Sequence, residues 1–329
     1  MKTTTNLNES RISRRKLITG TTALLASGGL AGCVSGQKQI EKSETAYPPS
    51  GKFMTVDGLK VHYVDQGSGP TVILIHGANS SLLDWTFTMM AKLTPNYRVI
   101  AFDRPGFGYS DRIAIDGANP ETQAKLLSRA AYKLGVNQAV IVGHSLGGSL
   151  AASWALNDPA QVAGIAMLAG ATFPWGGDGV WMYGLGANPN YSSLVSTFAR
   201  SYVDDDRRKQ FLTEVYFPNE PIPGYLEHIG IDLSLRPDNF RWNAEDIANL
   251  NDHLDRISTR YTQLNTRIEI IHGEQDPTVL ASVHAVPLWY AAPDANLTLL
   301  PDVGHMVHQV EQHRIVAAIE QLTSHLRPV

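Results

Sequence analysis

The sequence predicts an α/β protein: a mostly parallel eight-stranded sheet with helices on both faces and a helical insertion after the sixth strand. Three observations carry this reading. Short apolar runs alternate with helix-like segments, the pattern of strands covered on both faces. The later runs end in glycine- and turn-rich sequence, where His, Ser and Asp residues gather. The alternation then breaks over residues 173–262, a stretch too long for an ordinary loop.

Taken in order, residues 53–56 and 59–64 flank Asp57-Gly58 and read as a hairpin. The strand 71–75 runs into His76-Gly77. A helical segment near 82–93 leads to the strand 98–102, which runs into Asp103-Arg104-Pro105-Gly106-Phe107-Gly108-Tyr109-Ser110. Helices near 119–134 and 146–157 bracket the strand 139–142, and the strand 164–168 follows. The insertion holds 14 of the chain's 27 aromatic residues, more than a small core of its own needs. It is therefore expected to roof an apolar pocket, with Trp175, Trp181 and Tyr183 as lining candidates. Within it, the charged run Asp204 to Lys209 reads as a solvated helix start. Strands 267–271 and 296–300 resume the pattern, with helices near 279–290 and 307–325. The expected division is a sheet domain of residues 51–172 and 263–329 and a cap of residues 173–262.

Gly143-His144-Ser145-Leu146-Gly147 lies between a strand and a helix, the setting of a nucleophile elbow. The flanking glycines let the turn close. Ser145 is then exposed at its tip, and the Leu146 N–H points toward a reacting carbonyl. A serine hydroxyl needs a base, and the base needs an orienting acid. Asp276 follows the strand 267–271, and His305 follows the strand 296–300, giving the order nucleophile, acid, base. Glu274 competes with Asp276 for the acid role, and His308, at helical spacing from His305, competes as base. His144, His76 and His272 read as packing or loop-holding residues, and Asp103 as a tie within its own loop.

With these motifs in this order, the chain from about Lys52 onward resembles the α/β-hydrolase superfamily, in its cap-bearing serine hydrolase branch. The resemblance implies that Ala78, after His76-Gly77, supplies the second oxyanion-hole N–H beside Leu146. It favours Asp276 over Glu274. It also sets aside dehalogenase and epoxide hydrolase activity, which need an aspartate where this chain has Ser145. Cofactor-free C–C bond hydrolases and perhydrolases share the serine and stay open.

Ser13-Arg14-Arg15-Lys16 resembles a twin-arginine export signal, and Leu30-Ala31-Gly32-Cys33 a lipobox. The mild apolar stretch between them is short for a membrane span. Residues 1–32 are thus expected to be a signal peptide, Cys33 a lipidated N-terminus and residues 33–50 a tether. Val34 after the cysteine favours the outer membrane, by resemblance to enteric lipoproteins. Five basic residues and one acid fall in residues 1–32, so the remaining chain, with 22 basic and 30 acidic residues, carries a net charge of −8. That opposes electrostatic binding to nucleic acid or anionic membranes. No metal-ligand spacing, dinucleotide fingerprint or P-loop is present, so no metal and no cofactor is expected. The expected function is an exported, lipid-anchored serine hydrolase acting on a small or medium apolar ester or lactone. The alternatives are a C–C bond hydrolase and a catalytically silent binding protein of the same fold.

Overall fold

Along each central strand, successive side chains enter opposite cores, so these strands read as unbroken apolar runs rather than alternating ones. Ile73, Ile75, Ile141, Ile165 and Ile268 point into one core, and Val72, Leu74, Val140, Val142 and Ala166 into the other. The computed structural model describes residues 40–176, 181–189, 191–192, 195–196, 204–324 and 326. The export signal and Cys33 lie outside them. The sheet and every contact of the site lie within the unit 43–329.

The sheet has eight strands among the described residues: β1 Lys52–Val56, β2 Leu59–Gln66, β3 Thr71–Ile75, β4 Arg98–Phe102, β5 Ala139–His144, β6 Val162–Leu168, β7 Ile268–Gly273 and β8 Ala295–Leu300. Their spatial order is β1-β2-β4-β3-β5-β6-β7-β8. β1 and β2 form the expected antiparallel hairpin, β2 pairs antiparallel with β4, and every other pairing is parallel. The carboxyl ends of β3, β5, β7 and β8 therefore open on one side of the sheet, where ligands bind in such folds.

Helices α1 (Leu83–Thr86) and α2 (Met89–Leu93) replace the single helix expected near 82–93. The break lets Phe87 leave the sheet core and pack edge-on against Tyr225, while Trp85 and Met89 stay buried. Helices α3 (Pro120–Lys133) and α4 (Leu146–Asn157) match expectation. Asn119 caps α3, accepting from the Glu121 N–H at 2.9 Å, with Pro120 in the first turn.

Between β6 and β7 the chain forms α5 (Trp181–Ala187), α6 (Asp205–Tyr216), α7 (Tyr225–His228), α8 (Ile231–Ser234) and α9 (Pro237–Ser258). Asp204 caps α6 by accepting from the Arg207 N–H, as the charged run suggested. Leu212, Tyr216 and Tyr225 make a small core that also takes in Met306. After β7, helix α10 (Ala285–Ala291) begins later than expected. Residues 278–279 instead donate their N–H groups to Asp276 Oδ1. The last expected helix is divided at Glu311 into α11 (Val307–Val310) and α12 (Gln312–Thr323). Side-chain bonds from His308 and Gln309 to Asp84 hold the first of these turns.

Candidate active site

The turn after β5 is strained at one residue. Ser145 has φ 54° and ψ −123°, a backbone conformation costly for a residue with a Cβ. The surrounding chain holds it there. The Ser145 N–H donates to Leu168 O at 3.0 Å, and its carbonyl accepts from Gly148 and Ala171 at 2.9 and 3.0 Å. Gly143 and Gly147 are required by close approach. A Cβ on Gly143 would collide with the Gly147 carbonyl, and one on Gly147 with the Ile75 carbonyl. Leu146 opens α4, so its N–H has no acceptor within the helix and is offered to the site along with the positive end of the helix dipole.

The peptide between Gly77 and Ala78 passes alongside this turn. A Cβ on Gly77 would stand 3.0 Å from Ser145 Cβ. The next residue, Asn79, is clamped by α9: its N–H donates to Asn243 Oδ1 and its side-chain oxygen accepts from Asn243 Nδ2, both at 2.7 Å.

Asp276 and His305 meet directly. His305 Nδ1 donates to Asp276 Oδ2 at 2.7 Å, which leaves Nε2 with its lone pair. The other carboxylate oxygen accepts the N–H groups of Thr278 and Val279 at 2.8 and 2.9 Å. His272 Nε2, bonded to Val279 O, also lies 3.4 Å from Asp276 Oδ2. Burial opposes ionisation of Asp276. The charge of His305, hydrogen bonds from His272 and His305, and the Val279 N–H outweigh it and hold the carboxyl well below the usual range. Glu274 is exposed and takes no part.

His308 is engaged elsewhere. Its Nε2 lies 2.9 and 3.0 Å from the two oxygens of Asp84, which also accepts from the Tyr225 hydroxyl at 2.7 Å and from Gln309 Nε2 at 2.9 Å. Burial opposes ionisation of Asp84 too, but His308, His144 and Tyr225 draw its carboxyl well below the usual range. This buried knot ties α1, the turn after His305 and the insertion together. The sequence reading missed it. An acid between Leu83 and Trp85, in an apolar stretch, was its one local signal.

His144 is packed against the site. Its Nε2–H donates to the His305 carbonyl at 3.0 Å, and its ring lies between those of His305 and His308, at centroid distances of 4.8 and 4.0 Å. Burial, with His308 and His305 nearby, keeps it neutral by lowering its pKa well below the ordinary value. Asp103 ties more than its own loop. It accepts from the N–H groups of Tyr109 and Leu82 at 2.8 Å and from His62 Nδ1 at 2.6 Å.

Among the described residues, Asp84, His144 and His308 are the one group close enough to share a cation, with one atom of each within 4.8 Å of the others. Asp84 accepts from Tyr225, His308 and Gln309, and His144 Nε2 donates to the His305 carbonyl, while His308 Nδ1 has no hydrogen-bond partner.

Of the pocket candidates, Trp175 is half-buried, its N–H bonded to Asn251 and its ring edge-on to His284. Tyr183, on α5, is half-buried, and burial raises its phenol pKa. Trp181 opens α5, and its side chain lies outside the described residues. Among the described residues, no helix is long and apolar enough to cross a membrane.

Residues 70–312 match the family model for the alpha/beta hydrolase fold. The chain is 30% identical, over 270 residues, to a 2-hydroxymuconate semialdehyde hydrolase of Pseudomonas sp., a match covering 78% of this chain and 88% of that protein. It is 29% identical to the dihydrolipoyllysine-residue acetyltransferase component of the acetoin cleaving system of Cupriavidus necator, covering 78% of this chain but only 64% of that protein. Among solved structures, it superimposes on the epoxide hydrolase CorEH with a TM-score of 0.70 at 20% identity, covering 84% of this chain and 99% of that one. A thermophilic esterase from Thermogutta terrifontis gives 0.66 at 20% identity, covering 82% and 97%. With the eight-stranded sheet, the elbow after β5 and a family match over most of its length, the chain belongs to the alpha/beta hydrolase family.

Proposed function

We propose that the chain is a serine hydrolase that cleaves a small or medium apolar ester or lactone through an acyl-enzyme. The observations that carry this are the strained Ser145 turn, an acid-oriented imidazole in Asp276–His305, the bond from His144, the residue before Ser145, to the His305 carbonyl, and the Gly77–Ala78 peptide alongside the turn. Ser145 Oγ attacks the carbonyl carbon, and its proton passes to His305 Nε2. The two backbone N–H groups take the developing oxyanion, a contribution that typically dominates acyl transfer. His305 then protonates the leaving alcohol and afterwards activates the water that releases the acid. Asp276 holds the imidazole tautomer and offsets the positive charge formed on it.

Arg104 and Arg112, the guanidinium groups in the loop after β4, are both neutralised by Asp246, with Glu245 on Arg112 as well. The second reading, hydrolysis of a C–C bond in a vinylogous diketone, is supported by the similarity to the semialdehyde hydrolase. A catalytically silent binding protein is the non-enzyme alternative. In the same proposal, residues 173–262 act as a cap on a sheet domain of 51–172 and 263–329. Residues 1–32 direct export, and a lipid on Cys33 holds the protein to a membrane through the tether 33–50, with the outer membrane favoured.

A panel of p-nitrophenyl esters tests the reading. Each methylene buried is worth about 0.8 kcal/mol, so kcat/KM should climb a few-fold per carbon and drop steeply once the pocket is full. Turnover of a vinylogous diketone with none of any ester would select the C–C reading. A flat chain-length profile would remove the selective cap.

A further inference from the structure

Arg104 is fully buried, and its side chain and its backbone N–H lead by two routes to one carbonyl beside the site. Arg104 Nη2 donates to Gly77 O at 3.2 Å. The Arg104 N–H donates to His76 Nε2 at 3.0 Å, so His76 must carry its proton on Nδ1. That Nδ1–H donates to the same Gly77 O at 2.9 Å. Burial and the Arg104 charge lower the His76 pKa to about 4, which keeps the ring in this neutral form. The Gly77 carbonyl thus accepts two hydrogen bonds, one of them from a cation.

Gly77 O and the Ala78 N–H belong to the same peptide unit. Among the described residues the only cis peptide is Phe217–Pro218, so this unit is trans and its N–H points opposite to its carbonyl. Donors that fix the carbonyl therefore fix the direction of the N–H. They also draw electron density toward the oxygen and make the N–H a stronger donor, since linked hydrogen bonds polarise one another. We propose that Arg104, with His76, is a positioning residue that aims and polarises the Ala78 N–H as an oxyanion donor. This rests on the serine hydrolase reading above. Asp246 of α9 and Gln123 of α3 hold the guanidinium from the other side, at 2.9 and 3.0 Å.

The test is the labelling rate with an alkyl fluorophosphonate. Ser145 Oγ attacks phosphorus, fluoride leaves, His305 takes the serine proton, and the phosphoryl oxygen gains charge in the oxyanion hole. Arg104→Lys keeps a cation for Asp246 but cannot span both partners. Arg104→Met combined with Asp246→Leu removes this buried pair together, in case the single variant fails to fold, and leaves Arg112 paired with Glu245. Both should lower the saturating labelling rate about tenfold, a fraction of the loss when an oxyanion donor is deleted outright. The half-saturating probe concentration should stay within about twofold, and the acid limb of the pH profile should not move. Arg112→Gln, which breaks the neighbouring bond to Asp246 without touching Gly77, should label within about threefold of the parent rate. Parent-like rates in both Arg104 variants would overturn the inference alone. So would an equal loss in Arg112→Gln, which would make the effect one of general loosening. A folded parent protein that takes no label would overturn the serine hydrolase reading and this inference with it.

Discussion

Asp276→Asn should remove nearly all activity while leaving the fold in place, and the hydrogen bonds around residue 276 say why. Oδ1 accepts two backbone N–H groups, from Thr278 and Val279. An asparagine must therefore keep its oxygen on that side and turn its NH2 toward His305. Nδ1 of His305 then becomes an acceptor, its proton moves to Nε2, and the imidazole can no longer take the proton of Ser145. The charge is lost as well. With the Oδ2–Nδ1 contact at 2.7 Å, the delocalised charges of carboxylate and imidazolium are centred about 4 Å apart, worth about 4 kcal/mol at an effective dielectric of about 20. That corresponds to about a thousandfold in rate. The assay is kcat/KM on a p-nitrophenyl ester, with circular dichroism to confirm folding. Glu274→Gln, on an exposed neighbour, is the control and should retain the parent rate. An Asp276→Asn protein with more than about a tenth of parent activity would refute the assignment of the acid.

Stability should fall on mild acidification. His76 and His284 titrate near 4 in the folded protein, depressed first by burial and then by Arg104 and His272 respectively. The unfolded chain, with histidines near 6.5, binds more protons between those values, so stability is present above about pH 6.5 and is lost as pH falls toward 4, by up to about 2 kcal/mol per histidine at pH 5. Asp84 and Asp276, also depressed, keep their contribution above their unfolded values and lose it at still lower pH. A Tm that does not change between pH 7.5 and pH 5 would contradict the histidine contribution. His308→Ala should cost about 2–4 kcal/mol in urea unfolding, because it strips a donor from the buried Asp84 carboxylate. It should lower activity per folded molecule far less than His305→Ala does, and the reverse ranking would move the base to His308. Replacing Arg14 and Arg15 with lysine should leave the precursor in the cytoplasm, and Cys33→Ser should abolish fatty-acid incorporation. Normal export of the first and labelling of the second would remove the proposed anchor.

What could be read from the sequence follows the range of the interactions. The strands were legible because burial on both faces writes an apolar run into each one. The elbow was legible because its glycines are demanded by carbonyls only a few residues away or on the neighbouring strand. The loops bearing Asp276 and His305 were legible because each directly follows a strand end. The ties that hold the site were not. Arg104 reaches Asp246 across 142 residues, Asn79 reaches Asn243 across 164, and Asp84 reaches His308 across 224. Nothing local in the chain says that those side chains meet. The helix breaks at Phe87 and Glu311 were missed for the same reason, since each accompanies a contact with a distant element.

The central claim is that Ser145 is the nucleophile, and covalent labelling tests it most directly. The folded parent protein should take one fluorophosphonate adduct per chain, with the mass increment on the peptide containing Ser145. Folded Ser145→Ala should take none and should lose ester turnover. An adduct on another residue, or undiminished hydrolysis by folded Ser145→Ala, would contradict the account.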